Sequence, residues 1–428
     1  MAAGMTAVEK ILARACGLPR VAPGDIVHPR PDWMFVHDNH LMATHEEMEA
    51  AGIHELHDPD RVILTTDHDV IYVNERAIER GAYNRKAAAA WGVKRFHDVG
   101  RGGHGHIFPI EQGLVVPGTF YLDDDRHCTN AGGVGAIALR VGEEISTALA
   151  TGTVWISVPP SVKLTLRGSL RAGVYARDLG FKLAQGLVTG GFFGIDTDYR
   201  IIEMAGDLDA FDLASRVALC NSPTEVGAVG VFFPPSAAIV ERSRALAAAH
   251  GITVEPVFAD ADATYDASLE LDLDALEPQV ALPGGVQRAA DLSDVAGTPI
   301  QHAFIGSCGS GMWEDLEVAA RVLAGRRLAP GVRLFVTPGS EASTRRLHRE
   351  GLLDIFQEAG AVVMPAGCGV CAGGRTGPVA SGETSISTAA NNGAGRFGAK
   401  DARLFLGSPA TVAASAVAGC ITDPRTFW

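Results

Sequence analysis

The feature that most constrains the fold is an alternation of short apolar runs with helix-like stretches. Near the start, the apolar runs are "DRVILTT", "GLVVPGTFYL" and "TVWISVPP", and the helical stretches are "ATHEEMEAAGI" and "AYNRKAAAAWGV". Apolar runs of this length, bounded by turn residues, are typical of strands. Their regular succession with helices therefore predicts an α/β fold.

The alternation falls into three parts. A chain of 428 residues is too long for one hydrophobic core, so we expect two or three domains. A second α/β unit begins near "VKLTLRG", and a third contains the strand "QHAFIGS", the helix "SEASTRRLHREGLLDIFQEAG" and the strand "AVVMP". The acidic stretch "FADADATYDASLELDLDALEPQVALPGG" between them is the best boundary candidate. We expect units at residues 1–165, 166–283 and 284–428.

Charge and hydropathy exclude two classes of partner. The formal net charge of -14 argues against a nucleic-acid or membrane-surface binder, because both need a basic surface. A small anionic substrate remains compatible if positive groups gather locally. No segment approaches the apolar length of a membrane span, and the N-terminus lacks the apolar core of a signal peptide. Seven scattered cysteines are typical of reduced thiols, so we expect a cytoplasmic protein.

Two cysteines two residues apart lie in the glycine-rich stretch "MPAGCGVCAGG". This pair, Cys368 and Cys371, is compatible with a redox dithiol, half of a zinc site, or part of an iron–sulfur site. A third cysteine, Cys308, follows a predicted strand in "FIGSCGSGMWEDL" and precedes a predicted helix. Cysteines placed after strands lie at the sheet edge where α/β proteins build their sites.

Three cysteines without an obvious fourth favour one alternative. Structural zinc usually takes four ligands, and a dithiol leaves Cys308 unexplained. Three thiolates holding a [4Fe–4S] cluster would leave one iron open as a Lewis acid. The remaining alternative is a set of unrelated buried thiols, because cysteine is among the most often buried residues.

The motifs around the cysteines resemble the large subunit of 3-isopropylmalate dehydratase, a family of the aconitase superfamily. The likeness covers nearly the whole chain in order, through "VHD", "DPDRVILTTDH", "GGVGAIALRVG", "GVYARD", "CNSPTEVGAVGVFFP", "IGSC…EDL", "P-x-GC-x-x-C" and "SPATVAASAVAG". The resemblance implies an aconitase-like fold of three α/β domains around a central iron–sulfur cluster, without the swivelling domain. It implies loss and re-addition of water on a malate-type skeleton.

The resemblance also implies roles for individual residues. Cys308, Cys368 and Cys371 would carry a [4Fe–4S] cluster, whose fourth iron binds the hydroxyl and a carboxylate of the substrate. The acidic and histidine positions with catalytic roles would be Asp67, His68, His106, Asp125, His127 and Glu225. Substrate contacts would come from His37 and Arg396, and groups beside the cluster would be Asn221 and Asn392. At positions where the chain departs from the family, we add Arg126 and Asn391 as substrate contacts and Ser310 as a group beside the cluster.

The chain departs from the family pattern at three points. Asp125-Arg126-His127 stands where the family usually has Asp-Ser-His, and Gly309-Ser310-Gly311 follows Cys308 in place of Thr-Asn-Ser. The triplet 390–392 is Ala-Asn-Asn where the family usually has Asn-Arg-Asn. Replacing an arginine at a carboxylate site removes a charge-assisted contact. We hypothesise that Arg126 moves the positive charge to another side of the pocket.

The chain has no room for the swivelling domain after "SPATVAASAVAG". In the superfamily this domain carries a substrate-binding arginine and a serine base. We therefore expect a separate small subunit as partner, and poor turnover by this chain alone. The substrate would be a 3-isopropylmalate-type acid. The alternatives are a homoaconitate-like, methylmalate-like or specialised-metabolite acid, or a protein that kept the fold and lost catalysis.

Overall fold

The α/β fold predicted from the sequence is confirmed. A computed structural model of the chain describes residues 4–428, which form three main sheets with helices packed against them. The α-helices are Ala7–Cys16, Asp38–Ala50, Glu75–Ala90, Phe108–Glu111, Ile145–Thr151, Ala176–Leu187, Leu213–Asn221, Ala237–Ala247, Trp313–Leu323, Glu341–Arg349, Leu352–Ala359 and Pro409–Ala418.

The first sheet has five parallel strands. In spatial order they are Arg95–His97, Val62–Thr65, Trp33–His37, Phe120–Asp123 and Ile137–Arg140. Its central strands are buried along their whole length, as expected for a parallel sheet covered on both faces. A short antiparallel pair, Ile26–Val27 with Ile156–Ser157, lies outside this sheet.

The second sheet has four parallel strands. In spatial order they are Gly230–Phe232, Ile201–Gly206, Ser161–Arg167 and Ala267–Asp272. The buried helix Ala176–Leu187 contributes to the apolar core beside this sheet, together with residues of the third sheet. The second and third sheets therefore share part of one core.

The third sheet has seven strands and is mixed. In spatial order they are Ala289–Asp291, Gln279–Ala281, Arg403–Leu406, Thr384–Ser387, His302–Gly306, Arg333–Thr337 and Val362–Val363. Strand Gln279–Ala281 pairs antiparallel with both of its neighbours, and all other neighbouring strands pair in parallel. The strands after which the three cysteines lie, at 302–306 and 362–363, flank one common neighbour at 333–337.

The sheets suggest a shift of the expected unit boundaries. Strand Ser161–Arg167 crosses the expected boundary at 165/166, and both of its ladder partners lie in the second sheet. The acidic stretch at residues 258–285 is only partly a linker, because it contains one strand of the second sheet and one strand of the third sheet. We propose units that meet at Pro159–Pro160 and within residues 273–278; residues 1–3 of the first unit lie outside the described residues.

One predicted helix is wrong in detail. The stretch "SEASTRRLHREGLLDIFQEAG" forms two helices, Glu341–Arg349 and Leu352–Ala359, in place of one. Gly351 between them has φ of 74°, a left-handed conformation that glycine adopts without the steric cost other residues meet. Among residues 4–428, no helix combines the length and apolarity needed to cross a lipid bilayer.

His302 is a buried histidine of the third sheet. Its Nε2 lies 3.0 Å from the carbonyl oxygen of Gly377 and therefore donates, so its Nδ1 accepts from the Ser385 hydroxyl at 2.8 Å. Burial lowers the pKa of His302 to about 4, with a smaller contribution from the charge of Arg333. The neutral ring thus satisfies both contacts, and protonation would place a charge in a buried position without a carboxylate partner in the described part of the chain.

We predict an acid-dependent loss of stability from His302. Between pH 6.5 and 4 the His302 side chain is protonated in the unfolded chain but stays neutral in the folded chain. The free energy of unfolding therefore decreases as the pH falls, by about 3 kcal/mol in total. The variant His302→Gln keeps both hydrogen bonds and does not titrate. Calorimetric unfolding across this range is expected to show a flatter profile for His302→Gln than for the wild type. Equal profiles would contradict the prediction, and His28→Gln at an exposed position is the control.

Candidate active site

The three motif cysteines lie together at the carboxyl edge of the third sheet. Cys308 follows strand His302–Gly306. Cys368 precedes the 3-10 turn Gly369–Cys371, which comes after strand Val362–Val363 and ends with Cys371. All three side chains are buried and none is in a disulfide. The hydrogen bond with Cys371 and burial raise the pKa of Cys368 well above its usual range, and the nearby charge of Cys308 adds to this. The structure thus brings together the three cysteines that the sequence analysis grouped, and their role as cluster ligands stays a prediction.

The backbone ties the Cys-x-x-Cys turn to the first sheet. The amide of Cys368 donates to the carbonyl of Asp67 at 2.8 Å. A Cβ on Gly367 would lie 2.7 Å from Val70 and 2.8 Å from the same carbonyl, and the φ of Gly367 is 156°. Only glycine allows this close approach. The cysteines of the third sheet and the acid–histidine residues of the first sheet therefore share one site.

Hydrogen-bond donors are directed at the sulfur atoms. The Asn221 amide donates to Cys308 Sγ at 3.3 Å, and Arg396 Nη2 lies 3.7 Å from Cys371 Sγ. The hydrogen bond from Cys368 lowers the pKa of Cys371 well below its usual range, and the charge of Arg396 adds to this against the effect of burial. Burial raises the pKa of Cys308, but His127 and His104 outweigh it and hold the thiolate form.

These residues fit an iron–sulfur cluster. Cluster ligands are thiolates, and hydrogen bonds to sulfur tune such clusters. Three buried cysteines outside any disulfide supply the sulfur ligands, and amide and guanidinium donors lie beside the sulfur atoms of Cys308 and Cys371. The residues that would hold a [4Fe–4S] cluster are Cys308, Cys368 and Cys371, with Asn221 and Arg396 beside the sulfur atoms.

His37, Asp67 and His68 form a buried group at the edge of the first sheet. Asp67 follows strand Val62–Thr65, and its carboxylate lies 3.1 Å from His37 Nδ1 and 2.7 Å from His68 Nδ1. His68 also meets Asp38 at 3.1 Å. Burial lowers the pKa of His68, but Asp67 and Asp38 outweigh it and raise this pKa to about 10. His68 is therefore held in its protonated form.

His106 and Asp123 extend this group. His106 Nε2 lies 3.1 Å from His37 Nε2 and 3.4 Å from Asp123 Oδ2. Asp123 ends strand Phe120–Asp123, next to the strand that ends with His37. His104 contacts the same group, because its Nδ1 accepts from the His106 amide at 3.2 Å. The sequence prediction included His37 and His106 but missed Asp123.

A second chain of polar contacts joins all three sheets. Asp125 lies 3.3 Å from His127 Nδ1, and His127 Nε2 lies 2.8 Å from Glu225 Oε1. The other oxygen of Glu225 accepts from the Asn391 amide at 3.2 Å and lies 3.7 Å from Arg126 Nη1. Asp125 and His127 lie in a connection between strands of the first sheet, Glu225 lies in a connection of the second sheet, and Asn391 lies in a connection of the third. The Arg126 side chain is half exposed, with 52 % of its area accessible.

Two residues named from the resemblance are engaged in the local backbone. The Ser310 hydroxyl donates to the adjacent Gly309 carbonyl, and the Asn392 amide donates to the carbonyls of Ala281, Leu282 and Leu404. These contacts join the third-sheet strands around Asn392. By contrast, Asn221 and Asn391 direct their amides toward Cys308 and Glu225.

Sequence reasoning missed Arg177, a fully buried arginine. Its Nη1 donates to Asn221 at 3.0 Å and to Ser222 at 3.2 Å, and its Nη2 donates to the Ala389 carbonyl at 2.6 Å. The guanidinium also lies 5.0 Å from the ring of Phe181. Asn130, likewise missed, donates to the Cys308 carbonyl at 2.9 Å. The only sequence signal was the presence of these residues inside matched motifs, "GVYARD" and "DDDRHCTN".

The chain is similar to known proteins along nearly its whole length. The family model of aconitase (aconitate hydratase) matches residues 9–419. The chain is 37 % identical to 3-isopropylmalate dehydratase large subunit 1 of Methanopyrus kandleri, over 99 % of this chain and 100 % of that protein. It is 37 % identical to the 3-isopropylmalate dehydratase large subunit of Mycolicibacterium smegmatis, over 99 % and 97 %. The holo crystal structure of Thermococcus kodakaraensis aconitase X matches with a TM-score of 0.49 and 13 % identity, covering 90 % and 89 %.

We predict that Arg177 is required for stability. In Arg177→Lys a charge stays buried, but a single ammonium cannot reach the three oxygens that the planar guanidinium reaches. Losing charge-assisted hydrogen bonds in a buried site is expected to cost about 2–4 kcal/mol. Scanning calorimetry should show a lower unfolding temperature for this variant. The exposed Arg167→Lys is the matched control, and an equal effect of both substitutions would contradict the prediction.

Proposed function

The chain belongs to the aconitase family of hydro-lyases, as its motifs predicted, and we propose that it is the large subunit of a [4Fe–4S]-dependent enzyme. Its reaction would be the dehydration and rehydration of a substituted malate of the 3-isopropylmalate type. The observation that carries the proposal is the meeting of three buried cysteines with two histidine–carboxylate groups at one junction of three sheets.

The net reaction needs an acid and a base. A proton leaves one carbon, hydroxide leaves its neighbour and takes up a proton, and the products are an alkene and water; the reverse steps add water back. A bound cluster with an open iron would supply a Lewis acid for the leaving hydroxyl. The residues proposed to hold it are Cys308, Cys368 and Cys371.

His68 is the proposed proton donor to the leaving hydroxyl. Its Nδ1 is held by Asp67 and Asp38, which leaves Nε2 as the ring nitrogen available to a substrate. The backbone contact of Asp67 with Cys368 keeps this pair beside the cysteines. His37 and His106 are proposed to position the Asp67–His68 pair, because His37 contacts Asp67 and His106 contacts His37.

Asp125, His127 and Glu225 form the second proposed proton-transfer group. The imidazole of His127 lies between two carboxylates, at 3.3 Å from Asp125 and 2.8 Å from Glu225. Such an arrangement fixes the ring and lets a proton move from one carboxylate to the other through the two ring nitrogens. Asn391 is proposed to hold the Glu225 end of this group, and Asn221 is proposed to position Cys308 beside it.

The substrate is an anion, and the site offers two arginines of different character. The Nη2 atom of Arg396 lies 3.7 Å from Cys371 Sγ, so part of its positive charge interacts with the sulfur atom. Arg126 is half exposed, and its ion-pair contact with Glu225 is long, at 3.7 Å. We propose that Arg126 binds a substrate carboxylate, and that Arg396 contributes to the same binding from the cluster side.

The names of the relatives support a proposal for the partner. The relatives are named large subunits, which implies a small subunit, and we propose that a small subunit with the swivelling domain supplies the arginine and the serine base that the resemblance assigns to that domain. Identity of 37 % leaves the substrate side chain open, so homoaconitate-like, methylmalate-like and specialised-metabolite acids are the alternative substrates.

If the three cysteines hold an iron–sulfur cluster, replacing one of them should remove both the visible absorbance of the cluster and the enzymatic activity. Anaerobic reconstitution with iron and sulfide should give a brown protein, and a candidate small subunit should then give turnover of a malate derivative, followed by alkene absorbance in the ultraviolet. Cys368→Ala is expected to remove the visible absorbance and the activity. Cys420→Ala, outside the site, is the control. A colourless reconstituted wild type would reject the cluster-bearing function in favour of a cluster-free binding protein.

The substrate proposal predicts a change in preference in Arg126→Ser. Removing one charge-assisted carboxylate contact is expected to lower kcat/KM for the preferred malate by about 10- to 100-fold, mostly through KM. The ratio of kcat/KM between 3-isopropylmalate and other malates should also change. Arg167→Ser, at an exposed position, is the control. An unchanged ratio would show that Arg126 does not select the substrate.

A further inference from the structure

An ion pair connects the loop that carries the proposed proton donor to the loop that carries the Cys-x-x-Cys turn. Asp69 directly follows His68, and its Oδ1 accepts from Arg375 Nη1 at 2.7 Å. Arg375 lies in the loop after Cys371. The Asp69 side chain is 4 % exposed and the Arg375 side chain is 26 % exposed. A charge-assisted contact with a buried carboxylate is stronger than an ion pair between two exposed side chains.

The rest of Asp69 is held by the first unit. Its Oδ2 lies 3.3 Å from Nη1 of Arg80, in the helix that follows. The Asp69 amide donates to Asp38 Oδ2 at 2.8 Å, and the His68 amide donates to the other oxygen of Asp38 at 3.1 Å. The first unit therefore fixes the backbone beside His68, whereas Arg375 binds the Asp69 side chain from the third unit.

The ion pair is a second attachment between the two loops. The first is the amide of Cys368, which donates to the Asp67 carbonyl at 2.8 Å before the turn. A single hydrogen bond does not fix the orientation of one loop against the other, whereas a second contact beyond Cys371 does. Gly373 and Gly374 lie between that cysteine and the ion pair, with φ of 67° and 69°. Glycine restrains the backbone least, so the side-chain contact beyond these residues limits the movement of the turn.

The contact also separates Arg375 from the arginines proposed to bind substrate. A substrate carboxylate could take Arg375 only by displacing Asp69 and leaving a buried charge without this partner. Arg126, by contrast, is half exposed and lies 3.7 Å from its carboxylate neighbour. The charge of Arg375 is therefore used within the protein.

We propose that Arg375 and Asp69 are positioning residues that fix the Cys-x-x-Cys turn relative to His68. Their effect on turnover rests on the proposed function, in which His68 gives its proton to a hydroxyl at the cysteine site. A displacement of about 1 Å in such a site costs about 100-fold in rate, so loss of the ion pair lowers kcat more than it raises KM.

Amide hydrogen exchange tests the positioning without an assay of activity. The full chain, purified under anaerobic conditions, is compared with Arg375→Gln, Asp69→Asn and the double variant. Each single change should speed exchange at residues 66–74 and 366–376 by at least about 10-fold. The double variant should exceed the single variants by less than about twofold, because both changes break the same contact. Additive effects, or unchanged exchange, would overturn the proposal.

Turnover by the chain reconstituted with iron, sulfide and a small subunit is the second measurement. Arg375→Gln should lower kcat by about 10- to 100-fold and change KM by less than about threefold, with the visible absorbance kept. Arg375→Lys should recover part of kcat and of the exchange protection, because an ammonium can replace a single guanidinium N–H contact. A loss confined to KM, or a lysine variant no better than the glutamine variant, would overturn the proposal.

The matched control is Arg200→Gln. Arg200 Nε lies 2.6 Å from Asp266, and its side chain is likewise 26 % exposed. This variant should change neither kcat nor exchange in the two loops, and an equal effect would overturn the proposal. Circular dichroism checks folding, and the comparison of Arg375→Gln with Arg375→Lys decides if Asp69→Asn is unfolded. A wild type with the exchange coupling but no turnover would reject the proposed function and support the positioning role.

Discussion

A charge removed from water must meet an opposite charge or several hydrogen bonds, and this constraint governs the junction of the three sheets. His37 and Asp67 are inaccessible to solvent, and each has the other as partner. Burial opposes the charge on His68, yet two carboxylates raise its pKa to about 10. The polar interior is therefore a network in which each ionised group depends on its neighbours.

Arg177 shows how the same constraint joins separate parts of the chain. Its charge lies among amide, hydroxyl and carbonyl oxygens from the second and third units. One of these, Asn221, donates in turn to Cys308. The position of Asn221 beside Cys308 therefore depends on packing between the second and third sheets. Loss of this contact is expected to affect stability and the site together.

The fold class and the three-cysteine site could be predicted from the sequence because their signals are local. Strand-length apolar runs, the Cys-x-x-Cys spacing and the glycines beside it are short-range patterns. The break at Gly351 was missed because one glycine inside a helical pattern does not by itself end a helix. Asp123 and Arg177 were missed because their partners lie far away in sequence, Asp123 beside His37 and Arg177 beside Ala389.

By itself, the sequence determined the α/β architecture, the family and the residue types available at the strand ends. Alternating apolar periodicity and ordered motifs carry that information along the chain. Only the tertiary structure decided which of those residues meet: that His127 lies between Asp125 and Glu225, and that His37, His106 and Asp123 converge. The reason is physical, because the free energy of a buried charge depends on groups within a few ångströms, and the packing of three sheets sets those distances.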